Sequence, residues 1–330
     1  MAAGLRIAGM AVRRGTKRRL EIPIARLPTG VFLSLPVAVV HGRRPGPCVW
    51  LSAALHGDEI NGVEIIRDAL QPLDPETLRG TILAVPVVNV FGFVAESRYL
   101  PDRRDLNRSF PGSETGSLAA RLAHLFMTEI VARSTHGIDC HTGSNHRTNY
   151  PHVRGNLDDR AVRRLAGAFG TALMVHGPGP DGSLRQAAAE RGIPCLVYEA
   201  GEASRFDDEA VNAGVAGVHR VLAALKMVPD GEPAPADPPT RIDKTRWIRA
   251  RQSGIARLHI QLGERVRRDQ ALGVVADTFG EARSQVRAPA DGIVLGLTRH
   301  PLVHRGNALV HLAVTPVKKG KPAKKRPSRA

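Results

Sequence analysis

Short apolar runs and stretches with helical spacing alternate along the first two thirds of the chain. Segments 31–40, 49–55, 82–88, 138–141, 172–176 and 195–199 are brief and rich in branched residues. That texture suits strands buried on both faces. Segment 59–70 carries Ile60, Val63, Ile66 and Leu70, and segment 117–131 carries Leu118, Leu122, Leu125 and Ile130. Apolar residues three to four apart predict amphipathic helices. Segments 158–169, 183–191 and 207–225 read the same way. Alternating strands and helices imply an α/β domain with a mixed or largely parallel central sheet over residues 1–228.

The texture then changes. Five prolines fall between residues 229 and 239, so 229–240 reads as a linker. Residues 241–315 hold short alternating segments separated by glycine, which predicts a small all-β module. Its pieces Gly263-Glu264-Arg265-Val266 and Ala288-Pro289-Ala290-Asp291-Gly292-Ile293-Val294 resemble the barrel-sandwich hybrid of biotinyl and lipoyl carrier domains. The lysine that those carriers modify has no counterpart, because Lys244 is the last lysine before the terminal tail. A scaffolding or site-shaping role is the expectation.

Composition narrows the classes. The chain has 330 residues, 42% hydrophobic and 24% charged, the profile of a soluble globular protein. No run approaches the ~20 apolar residues that span a bilayer, and no signal-peptide core precedes residue 12, so a cytoplasmic protein without a membrane partner is expected. Cys48, Cys140 and Cys195 stand singly, which argues for reduced thiols. Alternation on a strand would send Cys140 and His141 to opposite faces, making Cys140 a core thiol. The formal charge of +16 includes seven Lys or Arg in residues 318–330. Residues 316–330 therefore read as a disordered basic tail, and with few aromatics no specific nucleic-acid partner is expected.

Candidate chemistry gathers where strand runs end. His56-Gly57-Asp58-Glu59 follows the 49–55 run, and Asp139-Cys140-His141 ends another. Two His and one Glu can hold zinc and leave a fourth position for water. Glu199 closes the 195–199 run and is a spare carboxylate for that water's proton. Asp58 is placed either to cap the following helix or to orient a ligand imidazole. His146 and His152 are rival ligands without the strand-end setting. The loop from Ser97 to Gly112 is polar and Arg-dense; Asp105 there can fix an arginine while Asn107 and Arg108 face an anion.

In order and spacing, His56-x-x-Glu59, Arg98-Tyr99, Asp105-Leu106-Asn107-Arg108, His141 and Tyr198-Glu199-Ala200-Gly201 resemble the succinylglutamate desuccinylase/aspartoacylase family. The similarity spans about residues 45–225 and implies a zinc-carboxypeptidase-like fold. It implies one zinc ion on His56, Glu59 and His141, with Glu199 as general base. Arg98, rather than Arg103, would polarise the scissile carbonyl because a tyrosine follows it. Asn107 and Arg108 would bind the substrate carboxylate. For a further substrate arginine Arg185 is the first choice and Arg191 the second. The chain departs from the pattern in having no tyrosine after Tyr198. The implied activity is hydrolysis of an N-acylated amino acid or similar small amide. A metallocarboxypeptidase acting on peptide or glutamyl tails is the alternative within enzymes, and a non-catalytic basic binding protein the alternative outside them. Self-association, as a homo-oligomer, stays open.

Overall fold

The computed structural model describes residues 5–229, 233 and 237–315. Half of the expected linker (230–232 and 234–236) and all of the expected tail lie outside the described residues. Four parallel strands form the middle of a large mixed sheet, in the order Arg79–Val85, Arg44–Ala53, His136–Gly143, Cys195–Glu202. Phe32–His41 and then Thr16–Arg26 extend one side antiparallel. Arg147–Gly155 lies antiparallel against Cys195–Glu202 on the other side. The mixed α/β architecture expected from the alternation is present.

Helices cover both faces. Asn61–Leu70, Arg160–Phe169 and Asp208–Ala224 bury Ile65, Ile66, Phe169 and Val218 against one face. Leu118–Glu129 and Leu184–Glu190 bury Leu122, Phe126 and Leu184 against the other. Both faces of the parallel strands are thus apolar, which is why their sequences read as continuous hydrophobic runs. Ser117, Asp159, Ser183 and Asp207 each cap a helix through a side-chain oxygen, worth about 1 kcal/mol apiece. Cys140 packs in the core, as the alternation argument requires. No helix among the described residues is long and apolar enough to cross a membrane.

The C-terminal segment is all β, and its strands join the main sheet. Gly292–Thr298 pairs with Arg147–Gly155, and Ala308–Val314 and Thr245–Arg249 follow in turn. A four-stranded sheet of Arg283–Arg287, Ala271–Ala276, Gly254–Leu258 and Leu302–Val303 closes over a separate small core. Ile293, Leu295 and Ala313 pack with Leu173, Val175 and Ile242, so apolar contact as well as strand pairing ties this segment to the α/β part.

Three local expectations need correction. The helix expected from residue 59 starts at Asn61, with Ile60 at the N-cap and no side-chain cap. Asp58 therefore does not cap it. Arg147–Gly155 and Thr16–Arg26 are strands that the apolar pattern did not predict. The first mixes Arg, Asn, Tyr and His because one end borders a polar site. The second is an edge strand with one wet face.

Candidate active site

The parallel strands all deliver their C-terminal ends to one place, the usual ligand position in such sheets. After Arg44–Ala53 the chain leaves the sheet through Ala54, whose φ of 47° lies in the left-handed region. Non-glycine residues held there carry strain, which is commonest near functional sites. Gly57 follows, packed so closely on Gly92 that a Cβ would sit 1.9 Å from the Gly92 carbonyl carbon. Only glycine lets the His56–Glu59 turn lie that low. The backbone N–H of Glu59 then bonds the His56 carbonyl at 3.1 Å, folding both side chains together.

His56, Glu59 and His141 are buried, and one donor atom from each lies within 4.8 Å of the others. The Nδ1 atoms of His56 and His141 stand 2.7 and 2.8 Å from the two oxygens of Glu59. Each ring also meets a carboxylate at its far nitrogen: Asp105 lies 3.1 Å from His56 Nε2 and Asp139 lies 2.8 Å from His141 Nε2. Thr142 N–H and the Ser144 hydroxyl donate to Glu59 as well. Burial disfavours charge on all three groups, but the partners outweigh it. His56 is raised by Glu59 and Asp105, His141 is raised well above its usual range by Asp139 and Glu59, and Glu59 is held well below its own by the two imidazoles. A buried carboxylate flanked by two imidazole nitrogens, each ring fixed from behind by another carboxylate, is the donor chemistry of a zinc-type centre. The residues fit such an ion.

These three residues line a cavity of about 150 Å³, and the residues first chosen for catalysis and substrate binding line it too: Arg98, Asn107, Arg108, Arg185 and Glu199. Arg98 donates Nη2 to Asp105 and Nη1 to Ser144, both at 2.8 Å, and Nη1 is 3.6 Å from Glu59. Asp105 thus fixes an arginine, as expected, and also holds a histidine. Its carboxyl is pushed down because His56 and Arg98 together overcome burial. Asn107 gives its side-chain oxygen to Leu184 N–H at 2.9 Å, tying the 98–112 loop to the helix that carries Arg185. The Arg108 guanidinium is exposed and donates to the Asn107 carbonyl at 2.6 Å. Arg185 bonds the Pro178 carbonyl at 3.1 Å, while its Nε and Nη1 are buried with no partner. Glu199 accepts a hydrogen bond from Asn149 at 2.8 Å and has Arg154 at 3.7 Å.

The rivals fall elsewhere. Arg103, Arg191, His146 and His152 are not among the residues lining the cavity. Arg191 instead bonds the Met127 carbonyl at 3.0 Å, and His152 is buried with Nδ1 on the Tyr150 carbonyl at 2.7 Å. Asp58 Oδ1 is buried without a partner, so it does not orient a ligand imidazole by a hydrogen bond from that atom. The stretch 143–149 after His141, expected to border the pocket, supplies Ser144 and Asn149, whereas Asp139 and Arg154 had not been singled out as site residues. Asp139 carried a usable signal, since residues two apart on a strand share a face. Arg154 depends on the pairing of a strand that the pattern did not reveal.

Comparison with known proteins follows the same outline. A family profile described as the succinylglutamate desuccinylase/aspartoacylase catalytic domain matches residues 45–225. N-alpha-acetyl-L-2,4-diaminobutyric acid deacetylase of Halomonas elongata is 28% identical over 293 residues, covering 84% of this chain and 85% of that one. The product-bound ectoine utilization protein EutE (DoeB) of Ruegeria pomeroyi superposes with a TM-score of 0.84 at 22% identity, over 93% of this chain and 98% of the other. A succinylglutamate desuccinylase/aspartoacylase of Rhodobacter sphaeroides gives a TM-score of 0.81 at 25% identity, over 90% and 95%.

Proposed function

Because the chain belongs to the succinylglutamate desuccinylase/aspartoacylase family, we propose that it is a zinc-dependent deacylase that hydrolyses the amide bond of a small N-acylated amino acid. The observation that carries this reading is the convergence of His56, Glu59 and His141 on one buried point in a cavity that Glu199 also lines. Zinc bound by these three side chains would act as a Lewis acid toward the acyl oxygen and bring the pKa of water toward ~7. The chain's own groups do the rest. Glu199 takes a proton from the attacking water and returns it to the leaving amine. Arg98, already aimed by Asp105 and Ser144, donates to the acyl oxygen as negative charge develops there. Asn107 keeps its amide N–H groups for the substrate, since its oxygen is engaged by Leu184. Arg108 and Arg185 supply cationic forks for carboxylate.

A cavity of about 150 Å³ supports a small substrate over a peptide, which would need a longer groove. The Halomonas relative, named for its action on an acetylated amino acid, supports the same class. Residues 241–315 fit a bordering, site-shaping module better than a carrier. The test is a hydrolysis screen of N-acetyl, N-formyl and N-succinyl amino acids against short peptides, with and without added zinc. Zinc-dependent release of the free amino acid, abolished in Glu199→Gln with metal retained, is the expected result. A protein that takes up no zinc, or a preference for peptides, would overturn it.

A further inference from the structure

The carboxylate of Glu199 is held from a single neighbouring strand. Asn149 donates Nδ2 to Oε2 at 2.8 Å, and Arg154 Nη1 stands 3.7 Å from Oε1. Both residues belong to Arg147–Gly155. Asn149 occupies a three-strand junction: it is paired with Gly201 on one side and with Gly296 of the C-terminal segment on the other. A Cβ built at Gly296 would lie 2.8 Å from Asn149 Oδ1, with the Thr148 carbonyl at 3.3 Å. The backbone of Gly296 is not in the left-handed region, so conformation does not demand glycine there. The space is taken by the Asn149 amide.

From this arrangement we infer that Asn149 is the positioning residue for Glu199, and that strand Gly292–Thr298 keeps it in place through the room Gly296 leaves. The inference rests on the deacylase reading, in which Glu199 moves the proton. A free carboxylate on a strand has several rotamers, and proton transfer needs one of them. An amide suits the task because it is neutral and donates to either protonation state of its partner. It engages one oxygen and leaves the other for the proton. Strand pairing thereby gives the C-terminal β segment a share in the chemistry without placing any of its side chains on the substrate. Supporting groups of this kind fix a reacting side chain within a fraction of an ångström.

The test measures kcat, KM, zinc content and Tm on the full chain with an N-acyl amino acid that the wild type cleaves, and uses Glu199→Gln as the reference. Asn149→Ala is expected to lower kcat about tenfold with KM nearly unchanged, the usual consequence of losing a hydrogen bond to a charged group. Asn149→Asp keeps the shape but sets a like charge beside Glu199, and is expected to lose more, about a hundredfold. A purely packing role would favour the isosteric Asp over Ala. Gly296→Ala touches no substrate; its Cβ meets the Asn149 amide first and crowds the Thr148 carbonyl by only a few tenths of an ångström, so zinc should hold and Tm fall little while kcat falls as in Asn149→Ala. The double variant should be no worse than either single one. Loss of activity in Glu199→Gln with full activity in Asn149→Asp, or in Gly296→Ala, would overturn this inference alone. A wild type inert on every N-acyl amino acid would overturn the deacylase reading and this inference with it. Should Asn149→Ala fail to fold, Gly296→Ala decides the matter.

Discussion

His141 Nε2 donates to Asp139 Oδ2 at 2.8 Å from two residues along the same strand. The other oxygen of Asp139 accepts from the Ser52 hydroxyl at 2.7 Å on the neighbouring parallel strand. The ring of His141 is therefore aimed by a carboxylate that is itself aimed, and its Nδ1 is left for the cavity. Carboxylates behind a ligating imidazole commonly govern metal affinity by 10- to 100-fold. Asp139→Ala should weaken zinc binding by about that factor in competition with a chelating dye, and Ser52→Ala by less. Unchanged affinity in Asp139→Ala would remove His141 from the ligand set.

Asp105 serves two residues at once, His56 at 3.1 Å and Arg98 at 2.8 Å. Their truncations should separate. Arg98→Ala is expected to lower kcat by about a hundredfold, the scale for one lost oxyanion donor, with zinc content intact. Asp105→Ala should lower kcat comparably and reduce zinc content too, because it also releases His56. Metal analysis beside steady-state kinetics distinguishes the two. Equal zinc loss in both variants would contradict the division of roles.

The strand ends were legible because chemistry and periodicity coincide there, whereas Arg98, Asn107, Arg108 and Arg185 were assigned through the family resemblance and all line the cavity. His56, His141 and Glu199 each terminate an apolar run, so topology alone brings them together. Asn149 was within reach only as part of the stretch after His141, and Arg154 not at all, because both owe their position to an antiparallel strand that reads as polar although Val153 enters the core. Glu59 illustrates the reverse case: its role followed from spacing, although the helix assigned to it begins two residues later. Strand pairing between Gly292–Thr298 and Arg147–Gly155 could not be read at all, because register is a property of two segments whose paired residues lie 147 to 151 positions apart.

Arg185 is costly as placed. Its Nε and Nη1 are buried without partners, and burial, then the nearby Arg154, push its pKa down to about 10. An unpaired buried donor costs about 1–3 kcal/mol, a penalty that a bound carboxylate would relieve. Arg185→Met should raise KM tenfold or more with a smaller change in kcat, and raise Tm by about 2–4 °C. Circular dichroism melts and steady-state kinetics on the same preparation check both. A lower Tm with unchanged KM would make Arg185 structural.

His152 is expected to make the fold acid-sensitive. It pairs in register with Glu199 but is buried, with Nδ1 on the Tyr150 carbonyl and Nε2 unpartnered. Burial, with a contribution from Arg154, lowers its pKa from 6.5 to about 3. His311, close by, is lowered to about 3 for the same leading reason. Above pH 6.5 both rings are neutral whether the chain is folded or not, and neither affects stability. As pH falls below 6.5 the unfolded chain takes up protons that the folded chain refuses, so stability declines continuously toward pH 3. Each ring should cost about 2 kcal/mol at pH 5. His152→Gln removes one of the two, so its Tm should fall less than that of the wild type between pH 7.5 and pH 5. Other acid-sensitive groups, including the candidate zinc ligands, are common to both proteins and cancel in the comparison. An equal fall in the two would mean that His152 is already protonated in the folded chain, and that Nε2 has found a partner.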